Sequence, residues 1–279
     1  MGRLYEALRR VERERQTPGA ESPDPAMPVE MLNAVTADPI DLRGVRSVKM
    51  EAQENSRLVA LTDPKSLGAE KFHSLATRLE HLRGARQLKS LQVTSSIMNE
   101  GKSLVSANLA LTLALQCGAK VLLVEGDMHR PSIGSRLGLT ELPGLSQWWD
   151  ARDQEIVRFI YRLNHLPLWF LGAGQPSDQP SQILQSGRFA EAFLSLNGGF
   201  DWIIVDSTPM SPTVDANLWS RLVDGTLLVV REGVAPVKGL KKGLQTLDNP
   251  KLVGIVLNEA SDFDRTNYED QYYALQKKS

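Results

Sequence analysis

Gly101, Lys102 and Ser103 follow the apolar run around Leu91 and Val93 and open an apolar stretch that continues from Leu104 to Leu115. A strand, a loop and a helix start in that order bring consecutive backbone N–H groups and the positive end of a helix dipole to one point, which suits a phosphate group. In such a cradle the Lys102 ammonium reaches the outer phosphate oxygens and the Ser103 hydroxyl ligates Mg²⁺, while Gly101 allows close backbone approach. The loop takes in Ser96, Ile97, Met98, Asn99 and Glu100, and Leu104 continues it into the helix. Ser96 stands where the usual G-x-x-x-x-G-K-[ST] pattern has its leading Gly. The strand before and the helix after therefore carry the reading, since a bare Gly-Lys-Ser is common by chance.

Two further apolar runs end in carboxylates. Val121 to Val124 leads to Glu125 and Asp127, and Trp202 to Val205 leads to Asp206. In open α/β sheets ligands sit at the carboxyl ends of the strands, so these acids are placed to hold Mg²⁺ or to anchor a metal-bound water near a γ-phosphate. One such acid alone would as readily cap a helix or a turn, but two behind a phosphate loop favour the nucleotide reading. Asn258 ends the run Leu252 to Leu257, where its amide could pair with adenine or simply form a turn. ATP and Mg²⁺ are the expected ligands.

The elements that must hold these groups recur along the chain. Short apolar runs at Ser90 to Thr94, Lys120 to Glu125, Pro167 to Leu171, Trp202 to Asp206, Gly225 to Arg231 and Leu252 to Asn258 each open onto a helical pattern. That alternation predicts an α/β fold, a doubly wound and mostly parallel sheet with helices on both faces. A helix is expected over Lys65 to Arg83, with Leu67, Phe72, Leu75, Leu79 and Leu82 on one face and Gly84 as its stop. The nucleotide-binding domain is drawn over residues 57–260. Before it, residues 1–16 read as an amphipathic helix, with Leu4, Ala7, Leu8 and Val11 set among Arg3, Arg9, Arg10, Arg13 and Arg15. Its apolar stripe would dock on this domain, a second copy, or a partner or membrane surface. Residues 17–56 read as a largely flexible linker, because Thr17 to Pro28 is dominated by Pro, Gly, Ser and acids. Residues 261–279 form a polar tail carrying Tyr268, Tyr272 and Tyr273. No repeat of fixed period is present.

Composition narrows the partners. The 279 residues are 42% hydrophobic, enough for one α/β core, and 32 basic against 33 acidic side chains give a formal charge of −1. Such a balance gives no electrostatic footprint for nucleic acid. Cys117 is the single cysteine, so an internal disulfide is excluded and a reducing, cytoplasmic setting is expected. Met1 to Glu6 lacks the apolar stretch of a secretory signal, and no apolar run approaches the roughly 20 residues that cross a bilayer.

In these residues the chain resembles the bacterial tyrosine kinases (BY-kinases), specifically the separate kinases of capsule and exopolysaccharide systems, within the MinD/ParA-like P-loop superfamily. The likeness runs from about Arg57 to the C-terminus. It includes Asn99 to Ser103, the E-x-D strand end at Glu125 and Asp127, Pro143 to Ser146, Gly172 to Gly174, Pro180 to Leu184, Asp206 with Asp215 and Asp224, Gly254 to Asn258, and the closing tyrosines. Leu4 to Leu8 resembles the leader of some members. The resemblance implies ATP on Gly101, Lys102 and Ser103, Mg²⁺ on Ser103, Asp127 and Asp206, and catalysis by Lys102, Glu125, Asp127 and Asp206. It further implies γ-phosphoryl transfer to Tyr268, Tyr272 or Tyr273 of a neighbouring subunit in a ring. A transmembrane polysaccharide co-polymerase would activate the kinase and recruit it to the inner face of the membrane. The chain departs from the family pattern at Glu125, where the family has Asp, and at His129, where it has a basic residue, Arg130 being shifted by one. The oligomerisation motif E-x-x-R-x-x-R becomes Glu70, His73 and Ala76. Partitioning ATPases of the ParA/MinD type carry an extra lysine at the position of Ile97. They and a catalytically weak nucleotide-binding scaffold are the alternative readings.

Overall fold

The computed structural model describes residues 40–52, 54–139, 141–211, 214–234 and 251–260. The N-terminal amphipathic stretch, Thr17 to Pro28 and the tail with Tyr268, Tyr272 and Tyr273 lie outside these residues. In chain order the elements are β1 (Ser47–Val48), α1 (Val59–Thr62), α2 (Leu67–Arg86), β2 (Ser90–Ser95), α3 (Lys102–Leu115), β3 (Val121–Glu125), α4 (Ile133–Arg136), α5 (Leu145–Asp150), β4 (Tyr161–Leu163), β5 (Leu168–Leu171), α6 (Pro180–Gln185), α7 (Gly187–Leu196), β6 (Trp202–Asp206), α8 (Asp215–Leu222), β7 (Gly225–Arg231) and β8 (Leu252–Asn258). The strands form one sheet in the order β1-β4-β5-β3-β6-β2-β7-β8. Every pairing is parallel except β4 with β5.

The central strands β2, β3 and β6 are buried at every residue, as parallel strands covered on both faces must be. Because side chains alternate along a strand, each strand feeds two cores. Val121, Leu123 and Ile204 join Leu91 and Val93 beneath α2 and α3, while Leu122, Val124, Ile203 and Val205 join the opposite layer of α5, α6, α7 and α8. Helix α3 is buried at nearly every position, since it lies between the sheet and α2. The second layer is built on aromatic rings, with Trp219 edge-on to Phe189 at 5.4 Å and to Phe193 at 5.6 Å.

Three local features differ from the sequence reading. Helix α2 runs past Gly84 to Arg86 and ends where Gln87 takes a left-handed conformation at φ 51°. A single Gly within an otherwise good helix costs only about 1 kcal/mol, which is too little to end it there. Strand β1 falls within the stretch assigned to the linker, and the sheet therefore starts upstream of residue 57. Strand β4, three residues long, is too short for its alternation to register. Ala76 is fully buried, so the last position of the degenerate oligomerisation motif faces the core, whereas Glu70 and His73 are exposed.

Candidate nucleotide-binding site

Strand register assembles the site. Asp206 lies across from Glu125 on β3 and from Val93 on β2, so both acidic strand ends meet the start of the phosphate loop at one edge of the sheet. The loop bends through two left-handed residues, Asn99 at φ 65° and Gly101 at φ 94°. A Cβ on Gly101 would fall on the Asn258 side-chain amide, so the glycine is required both by conformation and by space.

Glu100 is completely buried, and its carboxylate is turned into the loop. Its Oε2 accepts from the Ser96 hydroxyl at 2.7 Å and the Ile97 N–H at 2.9 Å, and its Oε1 accepts from the Arg231 N–H at 3.1 Å. Its backbone carbonyl accepts from Asn258 Nδ2 at 2.9 Å. The hydroxyl of Ser96, the residue that replaces the leading Gly, is thus used to close the loop on itself, and the loop is tied to the ends of β7 and β8. Asn258 spends one of its two amide hydrogens on this bond, which fixes the side chain beside the loop. Glu100→Ala strands three donors in a buried setting, and the protein is expected to lose about 2–4 kcal/mol of unfolding free energy in a urea titration. An unchanged midpoint would show that the loop is held by other contacts.

Lys102 stands at the centre. Its Nζ is 2.8 Å from Asp127 Oδ2, 3.7 Å from Asp206 Oδ1 and 3.2 Å from the Ser103 hydroxyl. Burial alone would depress the ammonium, but the Asp206 and Asp127 carboxylates outweigh it and hold the Lys102 pKa above the ordinary lysine value. Asp206, which is inaccessible to solvent, is pushed up to about 6 by burial, with Lys102 opposing the shift. Asp206 Oδ1 accepts from the Ser106 hydroxyl at 3.3 Å, while its Oδ2 is buried without a hydrogen-bond partner among the described residues. Asp127 Oδ1 accepts the Arg130 N–H at 3.0 Å, which bends the chain after β3 back over the site. Leu104, half-buried, packs on the core and anchors the first turn of α3.

Glu125, expected to be catalytic, is held at the carboxyl edge by backbone donors. Its Oε1 accepts the backbone N–H groups of Ile133 and Gly134 at the start of α4, and its Oε2 lies 3.4 Å from the Ala173 N–H. Burial raises its pKa and these backbone donors oppose the rise. The carboxylate thus joins two loops of the carboxyl edge. The motifs around it pack backbone against backbone, with the Leu145 N–H donating to Gly172 O at 2.9 Å and the Ser146 N–H to Ala173 O at 3.1 Å. Asp224 lies at the other end of the sheet, where its Oδ2 accepts from the N–H groups of Lys89 and Ser90. The sequence reading gave no role to Ser181, which contacts Asp215, because the two are 34 residues apart.

A serine hydroxyl and two carboxylates are hard oxygen donors of the kind Mg²⁺ takes, and the unpartnered Oδ2 of Asp206 suits a metal-bound water. Among the described residues no group of three or more His, Cys, Asp or Glu could hold a metal by itself. A P-loop site, which draws on a hydroxyl, phosphates and waters, does not call for one. No helix of the described residues is long and apolar enough to cross a membrane.

A mostly parallel sheet with a phosphate loop after β2 and acidic ends on two neighbouring strands defines a P-loop nucleotide-binding protein. No family model matches the chain. It is 30% identical over 203 residues to the tyrosine-protein kinase YwqD of Bacillus subtilis, covering 72% of this chain and 85% of that protein. It is 29% identical over 229 residues to the succinoglycan biosynthesis transport protein ExoP of Rhizobium meliloti, covering 79% of this chain and 28% of ExoP. The crystal structure of the chimerical protein CapA2B2 superposes with a TM-score of 0.69 at 27% identity, covering 78% of this chain and 96% of that one. The chain belongs to the bacterial tyrosine-protein kinases.

Proposed function

We propose that the chain is an ATP-dependent protein-tyrosine autokinase of exopolysaccharide or capsule synthesis or export. The observation that carries this reading is the Lys102 ammonium held between Asp127 and Asp206 at the mouth of the phosphate loop, 2.8 and 3.7 Å from their oxygens. Main-chain amides between Ser96 and Ser103 would cradle the phosphates, Lys102 would turn from the carboxylates to the outer phosphate oxygens, and Asn258 would face the base. Ser103, Asp127 and Asp206 would hold Mg²⁺, which when bound neutralises the charge on the transferring group. In the transfer, the phenolic oxygen forms a bond to the γ-phosphorus as the bond to the β,γ-bridging oxygen breaks, ADP leaves, and the phenolic proton passes to Asp127. We assign that proton to Asp127 because its Oδ2 is released when Lys102 turns to the phosphates, whereas the Glu125 oxygens keep their backbone N–H partners. Positioning and charge neutralisation supply most of the rate in such reactions.

Tyr268, Tyr272 and Tyr273 are the proposed acceptors, presented to a second copy. Relatives such as ExoP place similar sequence within a longer transport protein, and this supports a membrane-bound co-polymerase as the activating partner and the inner membrane face as the place of action. Incubating the protein with labelled ATP and Mg²⁺ and mapping phosphotyrosine tests the reading. Label is expected on one or more of the three tail tyrosines. Asp127→Asn should lower the rate by about 10² or more and Glu125→Gln by less than about tenfold. ATP bound without label would select a scaffold, hydrolysis without label would select an ATPase of the partitioning type, and the reverse order of the two variants would make Glu125 the base.

A further inference from the structure

We propose that Asp215 is a positioning residue that sets the Asp127 carboxylate, acting through His129; the inference rests on Asp127 being a magnesium-binding group. Asp215 opens α8, and its side chain is only 2% exposed. A carboxylate so buried must have its charge met by donors. The donors come from two other loops of the carboxyl edge. Asp215 Oδ2 accepts from His129 Nε2 at 2.8 Å, and Asp215 Oδ1 accepts from the Ser181 hydroxyl at 2.6 Å. His129 lies two residues beyond Asp127, and Ser181 lies in the first turn of α6. One carboxylate therefore clasps the segment after β3, the start of α6 and the chain that follows Asp206.

The same helix grips the segment at a second point. Trp219, one turn beyond Asp215 and on the same face of α8, donates its Nε1–H to Gly126 O at 3.2 Å. A Cβ on Gly126 would meet the Trp219 ring at 2.8 Å, so the close approach depends on the glycine. The Gly126 N–H in turn donates to Asp206 O at 2.8 Å. Residues 126 and 129 are thus both fixed to α8, and Asp127 sits between them with its Oδ2 on Lys102. Groups that orient a metal ligand without touching the metal commonly tune its affinity by about 10- to 100-fold. The clasp gives Ser181 within the Pro180 to Leu184 motif, Asp215, and the departure at His129 one shared task.

Calorimetric titration with ADP, with and without Mg²⁺, tests this on the full chain without asking for turnover. In the wild-type protein Mg²⁺ is expected to strengthen ADP binding. Asp215→Asn and His129→Ala should each reduce that gain by about tenfold and leave Mg²⁺-free ADP binding unchanged. His129→Gln, whose amide still donates to Asp215, should recover most of it. His129 is 43% exposed, so His129→Ala decides the matter should Asp215→Asn fail to fold. Wild-type magnesium dependence in His129→Ala, or equal weakening with and without the ion, would overturn the clasp while leaving the kinase reading intact. A wild-type protein that binds ADP no better with Mg²⁺ overturns both.

Discussion

Lys102→Met is expected to abolish tyrosine phosphorylation, by about 10³-fold or more in a labelled-ATP assay, and to unfold at lower urea than the wild type. The two effects share one cause. Lys102 is nearly buried and is the cation beside Asp127 and Asp206, two carboxylates that are themselves almost inaccessible. Methionine fills a similar volume and removes the charge, which leaves two acids facing one another in a poor dielectric. Removing one partner of a buried pair typically costs about 3–5 kcal/mol, because the remaining charge is uncompensated. The deficit should be largest near pH 8 and shrink toward pH 5, where Asp206 can take up a proton. A variant that keeps its phosphotyrosine would remove Lys102 from the chemistry. One that loses activity at wild-type stability would show that the carboxylates find other partners.

What the sequence made legible was local. Strand, loop and helix start at Leu91 to Leu115 are contiguous, so the phosphate cradle can be read from order alone, and the acids at 125, 127 and 206 announce themselves at the ends of apolar runs. The inward turn of Glu100 was not legible, because one of its donors, the Arg231 N–H, is 131 residues away and a main-chain group leaves no mark in residue type. The same holds for the Asp215 contact with His129 across 86 residues. Glu125 shows a third case. Its place at a strand end matches a catalytic pattern, yet the three N–H groups that occupy it belong to loops whose path only the fold determines. Ala76 reads as a gap in a surface motif, and its full burial shows that this turn of α2 is spent on the core. Local propensity misplaced the end of α2 at Gly84, because one glycine does not stop the helix before Gln87 turns left-handed at φ 51°.

Asp206→Asn should silence the kinase and stabilise the nucleotide-free protein. In the fold the Asp206 pKa is about 6, against an ordinary value of 3.8, because burial penalises its charged form more than Lys102 favours it. The native state therefore holds a proton that the unfolded chain releases between these two values, and the stability contributed by this group falls as pH rises from about 4 to about 6. Above pH 6 the penalty is complete, and a difference of about 2 pH units corresponds to about 3 kcal/mol. Asparagine resembles the protonated acid in shape and lacks the charge. At pH 8 the variant should therefore unfold with about 2–3 kcal/mol more free energy than the wild type, and the two should converge near pH 4. Phosphorylation should fall by about 10² or more, since the variant loses the charged oxygen donor proposed for Mg²⁺. An Asp206→Asn protein less stable than the wild type at pH 8 would mean that the ion pair with Lys102 outweighs burial, and that the strand-end acid is held for stability. The expected result instead places a destabilising charge at the proposed metal-binding acid, whose Oδ2 finds no hydrogen-bond partner among the described residues.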